Sequence, residues 1–365
     1  MSLSAGIIGL PNVGKSTLFN TITNSSVEAA NYPFATIQPN VGIVKVMDKR
    51  LNKLANLIHP NKTTYATCKF VDIAGLVKGA SKGEGLGNQF LSNIREVDAI
   101  CHVVRCFSEK TITHVYTDVD PIRDVEVINL ELIFADLDMV ERRLSKLNIN
   151  AQDKYTLIET KVCKELIHAF KNNILANQIK FTPEEMLIVQ NYQLLTMKPM
   201  LYIANIDEDD IAMPMQNEHY NTLKKYIHNQ YHAQIIPIAI NIEYEISLLK
   251  EVDKQKFLLD LNIKDPGLDS LITTTYTMLN LKTFFTFGED ECKAWTFVNG
   301  MNAVECAGLI HTDFIKGFIR VEVMKYQDLI VSGSELKVKE QGKLKIEGKN
   351  YLMQDGDICY FRINK

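Results

Sequence analysis

Short apolar runs in the first two thirds of the chain predict the strands of a buried sheet. Residues 5–9, 68–71, 199–204 and 234–240 are four such runs. Continuous apolar runs of this length are typical of strands whose two faces are both covered by helices. The pattern therefore predicts an α/β fold for this part of the protein.

A helical period interrupts these strands. Apolar residues recur every three or four positions from 127 to 147 and again from 155 to 170, which predicts an antiparallel helical hairpin with a turn at 148–153. The segment 182–185, Thr-Pro-Glu-Glu, has the spacing of an N-cap followed by proline and a reciprocal glutamate. A third helix is therefore expected to start there.

After residue 281 the pattern changes to short β-rich segments separated by glycine and aspartate turns. These strands are expected at 294–298, 317–323, 349–353 and 358–363. Lysines outnumber glutamates between 337 and 349. This local basic strip either contacts RNA or is an ordinary solvated face.

Composition narrows the class of protein. The chain has 365 residues, of which 46% are hydrophobic, and its 40 Lys and Arg against 44 Asp and Glu leave a net charge of −4. These values fit an ordered protein of more than one domain and give no overall electrostatic reason to bind nucleic acid. The seven cysteines are scattered without a C-x-x-C pair, and no apolar run approaches the roughly 20 residues of a membrane span. We therefore expect a cytoplasmic protein with neither a membrane nor DNA as a partner.

Residues 9–17, Gly-Leu-Pro-Asn-Val-Gly-Lys-Ser-Thr, carry the strongest chemical signal. They match G-x-x-x-x-G-K-[ST] between a predicted strand and a predicted helix, where backbone amides and a helix N-terminus bind phosphates. Lys15 is expected to reach the β- and γ-phosphates, and Ser16 to hold Mg²⁺. The alternative is a glycine-rich turn with an incidental lysine. The predicted nucleotide contacts in this loop are Asn12, Val13, Gly14, Lys15, Ser16 and Thr17.

A second acidic position follows the apolar run at 68–71. Asp72-Ile-Ala-Gly75 has the D-x-x-G spacing, in which Asp72 contacts Mg²⁺ and the Gly75 amide senses the γ-phosphate. Alone, this spacing also fits a common strand-end turn, and the phosphate loop upstream gives it weight. Thr36, in the loop between the two motifs, is the candidate that completes the metal shell. The glycine-rich segment 79–87 is expected to be a mobile lid or, alternatively, a plain surface linker.

Residues 205–208 concern the choice of base. Guanine-binding nucleotide triphosphatases with such a phosphate loop carry Asn-Lys-x-Asp after a late strand, whereas this chain has Asn-Ile-Asp-Glu. Ile206 replaces the lysine and the longer Glu208 replaces the aspartate, which argues against guanine. An asparagine amide pairs with N6 and N7 of adenine, as it does in DNA recognition. We expect Asn205 and Ile206 to contact the base and ATP to be preferred over GTP, the alternative being that Asn205 only forms a turn.

Together these motifs resemble the YchF/Obg-like ATPase family. The segments that carry the resemblance are 9–17, 31–34, 71–77, 79–88, 102–107, 205–208, 308–320 and 356–357. The resemblance implies a translation-factor-related protein that binds and hydrolyses ATP with Mg²⁺. The partners that it implies are the ribosome, through its large or small subunit, and rRNA or tRNA. Ala35 departs from it, since many relatives carry cysteine there.

Two further features follow from the resemblance. The β-rich C-terminal region resembles a TGS domain, which is a ubiquitin-like β-grasp module. Asn12 resembles the asparagine that ligates potassium in cation-activated relatives, so K⁺ is a candidate second cofactor.

The sequence lacks the glutamine that orients the attacking water in Ras-like enzymes. Leu76 stands where Ras-like enzymes carry the glutamine that orients the attacking water, and leucine neither donates nor accepts a hydrogen bond. Intrinsic turnover is therefore expected to be slow. His102 is the candidate substitute, because a neutral imidazole polarises water, and with Lys15 it makes up the predicted catalytic residues. The alternative is that His102 is a core residue of its strand.

The expected organisation has three parts. A P-loop nucleotide-binding domain covers 1–125 and 198–280, a helical coiled-coil insertion covers 126–197, and a TGS β-grasp domain covers 281–365. Two other functions stay open at this point. One is a GTPase of the Obg type, and the other is a ribosome- or RNA-binding protein whose nucleotide site is structural.

Overall fold

The computed structural model describes residues 3–25, 40–73, 86–109, 116, 118–147, 153–261, 263 and 266–364. The chain divides into two compact units, each built from separated parts of the sequence. The first comprises Met1–Gly42 and Lys69–Leu271, and the second comprises Ile43–Cys68 and Ile272–Lys365. Residues 43–68 thus belong with the C-terminal region, which the apolar pattern does not indicate. The three-domain limits given above stay a prediction.

The first seven strands of the chain build one complete sheet and contribute to another. They are β1 (Ser4–Gly9), β2 (Val41–Lys45), β3 (Lys62–Thr64), β4 (Thr67–Asp72), β5 (Ala99–Arg105), β6 (Met200–Asn205) and β7 (Gln234–Ile238). All except β3 form a six-stranded sheet in the order β2-β4-β1-β5-β6-β7. Strand β1 pairs in parallel with β4 and β5, and β6 pairs in parallel with β5 and β7. Every residue of β1, β5 and β6 is buried, which confirms the α/β fold expected from the apolar runs.

Helices connect these strands. They are α1 (Lys15–Asn24), α2 (Lys49–Ile58), α3 (Leu86–Glu96), α4 (Pro121–Lys146), α5 (Lys154–Lys171), α6 (Pro183–Tyr192), α7 (Glu218–Tyr231), α8 (Ile240–Leu248), α9 (Glu251–Asp260) and α10 (Gly267–Met278). Helices α4 and α5 are the two arms of the predicted hairpin. The capping box at Thr182 and Glu185 is formed as its spacing predicts, with both reciprocal hydrogen bonds present at the start of α6.

The helical hairpin has an apolar core of its own. Val140 of α4, Val162 and Leu166 of α5 and Val189 of α6 are all 0% exposed and belong to one cluster. The carboxylate of Asp136, also 0% exposed, accepts hydrogen bonds from the backbone amides of residues 195 and 196. Because a buried carboxylate needs such donors, these bonds fix the chain where it leaves the hairpin for β6.

The second unit contains a mixed six-stranded sheet. Its strands besides β3 are β8 (Leu281–Phe287), β9 (Glu291–Val298), β10 (Phe318–Lys325), β11 (Lys345–Glu347) and β12 (Asp357–Ile363), and the order is β11-β10-β12-β8-β9-β3. Strands β8 and β12 are parallel neighbours, as are β3 and β9. A cluster with Phe284, Phe297, Val321 and Cys359 forms its core. This arrangement is consistent with a β-grasp module, and the TGS assignment stays a prediction.

The C-terminal region is less β-rich than its sequence pattern predicts. It also contains four short helices, α11 (Ala303–Ile310), α12 (Thr312–Gly317), α13 (Tyr326–Ser332) and α14 (Glu335–Glu340). The strand expected at 349–353 is wrong, because only Leu352 forms an isolated bridge there. The Gln354 amide and the Tyr351 hydroxyl instead donate to the carboxylate of Asp357, which folds this segment into a turn.

Two expectations about the chain as a whole can be compared with the structure. All seven cysteines are buried. None of the helices in the described ranges combines the length and the apolar composition needed to cross a bilayer.

Candidate functional site

The loop between β1 and α1 is shaped by left-handed backbone conformations. Asn12 has a φ of 63° and Gly14 a φ of 99°. A Cβ atom on Gly14 would lie 2.5 Å from Nδ2 of Asn205, so only glycine fits beneath that side chain. Gly14, the N-cap residue of α1, has no side chain with which to cap the first turn. The amides of this turn therefore point into the loop, where an anion would satisfy them.

Lys15 and Asp72, predicted from two separate motifs, lie in contact. Nζ of Lys15 donates a hydrogen bond to Oδ1 of Asp72. Asp72 ends β4 and pairs in register with Ile7 of β1, so the sheet holds it beside the loop. The two side chains are 10% and 20% exposed. This partial burial strengthens their attraction relative to a pair on the surface.

Two cavities adjoin the loop and share Asn12, Gly14 and Thr17. The first, of about 600 Å³, is also lined by Lys15, Ser16 and Asp72 and is called the phosphate-side cavity here. The second, of about 500 Å³, is called the base-side cavity. Its other lining residues are Phe107, Glu109, Asn205, Ile206, Asp207, Glu208, Asp209, Ala239 and Asn241. The lining residues follow the carboxyl ends of parallel strands, where α/β sheets bind ligands.

Asn205 joins three segments at the base-side cavity. Its Nδ2 donates to the carbonyl oxygen of Val13 at 3.0 Å, and its Oδ1 accepts from the amide of Ile240 at 3.2 Å. The side chain thus ties β6 to the phosphate loop and to the start of α8. These two bonds with described residues use one of its two amide hydrogens and one of its two oxygen lone pairs. The predicted base contact of Asn205 would have to use the other hydrogen and the other lone pair, and it stays a prediction.

The base-side cavity is acidic. The carboxylate of Asp207 accepts a hydrogen bond from the Ser108 amide at 3.2 Å. Burial raises the pKa of Asp207, and the negative charges of Asp210, Asp209 and Glu109 raise it further. The hydrogen bond from the Ser108 amide lowers the pKa but does not cancel the increase. The site therefore has a cationic, amide-lined half and an acidic half. Ile206, which lines the base-side cavity, is 4% exposed, and its amide donates to the carbonyl of Ile238.

His102 lies inside the sheet. It pairs in register with Ile8 of β1 and Tyr202 of β6, is 1% exposed and lines neither cavity. Burial lowers its pKa to about 3, so the imidazole is neutral as the catalytic hypothesis requires. Its Nδ1 has no hydrogen-bond partner among the described residues. The position favours the alternative of a core histidine, and a catalytic role stays a prediction.

Several predicted positions lie outside the described residues. They are Thr36, Gly75, Leu76 and the segment 79–85. The residues that follow, from Leu86, form α3.

Sequence reasoning missed several residues at the base-side cavity, among them Phe107 and Arg105. Phe107 lines it, and Arg105 contacts Phe107 from the interior. Both are in the segment 102–107, which was singled out only as part of a resemblance and for His102. An arginine inside a buried apolar strand was the available signal, since arginine is almost never fully buried without partners.

The site offers oxygen ligands suited to Mg²⁺. The Ser16 hydroxyl and the Asp72 carboxylate line the same cavity, and Mg²⁺ prefers hard oxygen donors. Across the described ranges, no three His, Cys, Asp or Glu side chains cluster as metal ligands. A metal here would therefore depend on phosphate oxygens, water or Thr36 for its other ligands, as Mg²⁺ in phosphate-binding sites does.

The fold and this loop define a P-loop nucleotide-binding protein, and comparison with known proteins narrows the class. A family model described as "50S ribosome-binding GTPase" matches residues 4–136. The model YchF-GTPase_C, described as "Protein of unknown function (DUF933)", matches residues 281–364.

Whole-length relatives give the same result. The Bacillus subtilis (strain 168) "Ribosome-binding ATPase YchF" is 52% identical over 366 residues, covering 100% of both chains. The protein of that name from Escherichia coli O157:H7 is 44% identical with the same coverage. The solved structure of the Schizosaccharomyces pombe YchF GTPase matches with a TM-score of 0.89 at 38% identity, over 99% of this chain and 98% of that one. The chain belongs to the YchF family.

Proposed function

We propose that this protein is a cytoplasmic, Mg²⁺-dependent ATPase that binds ribosomes and acts as a nucleotide-dependent switch. The observation that carries the proposal is the Lys15–Asp72 contact beside a helix whose N-cap residue is Gly14. A lysine, a carboxylate and the amides of a helix N-terminus are the groups that bind a phosphate chain and its Mg²⁺. Support for ATP and for the ribosome comes from the names of the Bacillus subtilis and Escherichia coli relatives.

Each half of the site has a separate role. The amides of residues 12–17 and the Lys15 ammonium bind the phosphates, with Ser16, Asp72 and Thr36 as the metal-binding residues and Gly75 as the sensor of the γ-phosphate. Bound Mg²⁺ supplies charge neutralisation to the phosphates. The base-side cavity, with Asn205 and Ile206, takes the adenine.

Turnover without a partner is expected to be slow. Leu76 cannot orient water, and none of the described residues that line the two cavities is a glutamine or a histidine. His102 would have to act from inside the sheet. Measuring turnover of His102→Ala decides its role, since unchanged turnover with unchanged ATP affinity would remove His102 from catalysis.

The second candidate function is a GTPase. It is favoured by the description of the model that matches residues 4–136 and by the name of the Schizosaccharomyces pombe protein. Against it stands Ile206-Asp207-Glu208 in place of Lys-x-Asp. Phosphate release with ATP and with GTP, with and without ribosomes, separates the two. We expect ATP to be hydrolysed in preference, and equal or faster GTP turnover would contradict the proposal.

Two further measurements test the remaining parts. Asn12 is the candidate ligand for K⁺, so turnover in potassium and sodium buffers should differ. Ribosome co-sedimentation should depend on ATP, on a non-hydrolysable analogue and on Lys15. Binding that ignores all three would instead indicate a ribosome- or RNA-binding protein with a structural nucleotide site. rRNA and tRNA are the nucleic acids to probe in the same assay.

A further inference from the structure

The loop after β5 forms one wall of the base-side cavity. Phe107 and Glu109 of this loop line the cavity, and Phe107 is 9% exposed. An aromatic face stacks on any base, because every base presents a π-face. The position of the Phe107 ring therefore bears on how well the cavity accepts a nucleobase of either kind.

Arg105, the last residue of β5, holds this loop from the interior. It is 2% exposed and lines neither cavity. Its Nε donates to the carbonyl of Phe107 at 3.3 Å, and its Nη2 donates to the carbonyl of Glu109 at 2.7 Å. The guanidinium carbon lies 4.3 Å from the centroid of the Phe107 ring. One side chain thus holds the backbone at Phe107 and Glu109 and contacts the Phe107 ring.

The same loop is fastened to β6 on its other side. The Cys106 amide donates to the carbonyl of Asn205 at 2.8 Å, and the Ser108 amide donates to the carboxylate of Asp207. Arg105 itself pairs in register with Asn205. The wall of the cavity is therefore set by the buried guanidinium together with β6.

We infer that Arg105 is a positioning residue that places the aromatic wall of the base-side cavity. The inference rests on the proposed nucleotide function. The aromatic wall would contribute to nucleotide affinity without distinguishing adenine from guanine. Lysine would keep the charge of Arg105. It would lose the planar group that stacks on Phe107 and bonds two carbonyls at once.

The test is calorimetric titration of Arg105→Lys with MgATP, MgGTP and magnesium tripolyphosphate. We expect the Kd values for ATP and GTP to rise by the same factor, about tenfold, from the loss of one charged hydrogen bond and the stack. The Kd for tripolyphosphate should stay unchanged, because that ligand has no base. In turnover assays, KM for ATP should rise, whereas kcat, measured at saturating ATP, should stay unchanged.

Arg123→Lys is the matched control. Arg123 makes contacts of the same kind, with its Nη2 donating to the carbonyl of Asp118 at 2.8 Å and its guanidinium carbon 4.3 Å from the Tyr116 ring centroid. It lines neither cavity. A purely structural role for Arg105 predicts that Arg105→Lys, like Arg123→Lys, lowers thermal stability without changing nucleotide affinity.

Phe107→Leu is the second variant, which tests the aromatic wall directly if Arg105→Lys does not fold. It removes the aromatic face and leaves Arg105 in place, so ATP and GTP should again weaken together while tripolyphosphate does not. Unchanged ATP affinity in a folded variant, or an equal loss for ATP and tripolyphosphate, would overturn the inference alone. Absence of ATP binding by the unaltered protein would contradict the proposed function as well.

Discussion

Each unit of the protein contains a lysine paired with an aspartate at the end of a strand, and the surroundings of the two pairs differ. Lys15 and Asp72 face a cavity of about 600 Å³ beside the first turn of α1, whose N-cap residue is Gly14. Lys325 bonds Asp357 at 2.6 Å, and Asp357 is 0% exposed and also accepts from the Tyr351 hydroxyl and the Gln354 amide. The first pair, the open pair, is accessible to a ligand. In the second, the closed pair, neighbouring donors occupy the carboxylate of Asp357. Such saturation distinguishes a structural ion pair from one in a binding site.

The largest expected effect tests the open pair. Lys15→Ala should lower ATP turnover on the order of 100-fold or more, because it removes the cation that meets the transferred phosphate. Phosphate release measures this. Lys325→Ala is the control, with turnover unchanged below its unfolding temperature. A Lys15→Ala protein with normal turnover would show that the open pair has no role in the reaction.

The closed pair should respond in stability. Asp357→Ala leaves the Lys325 ammonium, the Tyr351 hydroxyl and the Gln354 amide without their acceptor, and we expect a loss of about 3 kcal/mol in the free energy of unfolding. Urea unfolding measures it. Asp328→Ala, which breaks a more exposed pair with Lys343 at 2.9 Å, should cost less than about 1 kcal/mol. Equal losses in the two variants would contradict the distinction.

Asn205→Ala tests how far the open site depends on its supporting bonds. The change strips the Val13 carbonyl and the Ile240 amide of their partner, so the loop should loosen and ATP affinity should fall about tenfold. Tripolyphosphate should weaken as well, unlike the pattern expected for Arg105→Lys. Asn302→Ala, which removes the N-cap of α11, should lower stability without changing ATP affinity. Calorimetric titration of both variants decides this.

The smallest effect concerns acid stability of the first unit. The pKa of His102 is lowered to about 3 by burial, while the unfolded chain takes up this proton near pH 6.5. Stability is therefore full above about pH 6.5 and declines as the pH falls toward 3, by about 1 kcal/mol between pH 6.5 and 5.5.

The variant His102→Gln should show a shallower decline over that interval. Urea unfolding at several pH values measures both proteins. Identical slopes for His102→Gln and the unaltered protein would show that His102 is not the group responsible.

The sequence predicts those parts of the site that are local in the chain. Residues 9–17 are contiguous, so the loop and the start of α1 follow from their spacing. The bonds from Asn205 to Val13 and Ile240 join three distant segments, and they depend on the strand order, which the apolar pattern does not contain. The same holds for the neutral His102, whose environment is made by β1 and β6.

The fold was predictable where its elements are long. Helices α4 and α5 extend over enough turns to show their period, whereas α12 and α14 have six residues each and show none. Strand β3 has three residues, so its pairing with β9 left no pattern to detect. Short elements acquire their conformation from tertiary contacts that the local sequence does not encode.

The parallel pairing of β3 with β9 has a consequence for the order of synthesis. Residues 62–64 leave the ribosome long before residues 291–293, with which they pair. A growing chain can assemble much of the first unit while the segment 43–68 still lacks its partner strands. The second unit therefore completes only after its C-terminal strands have emerged.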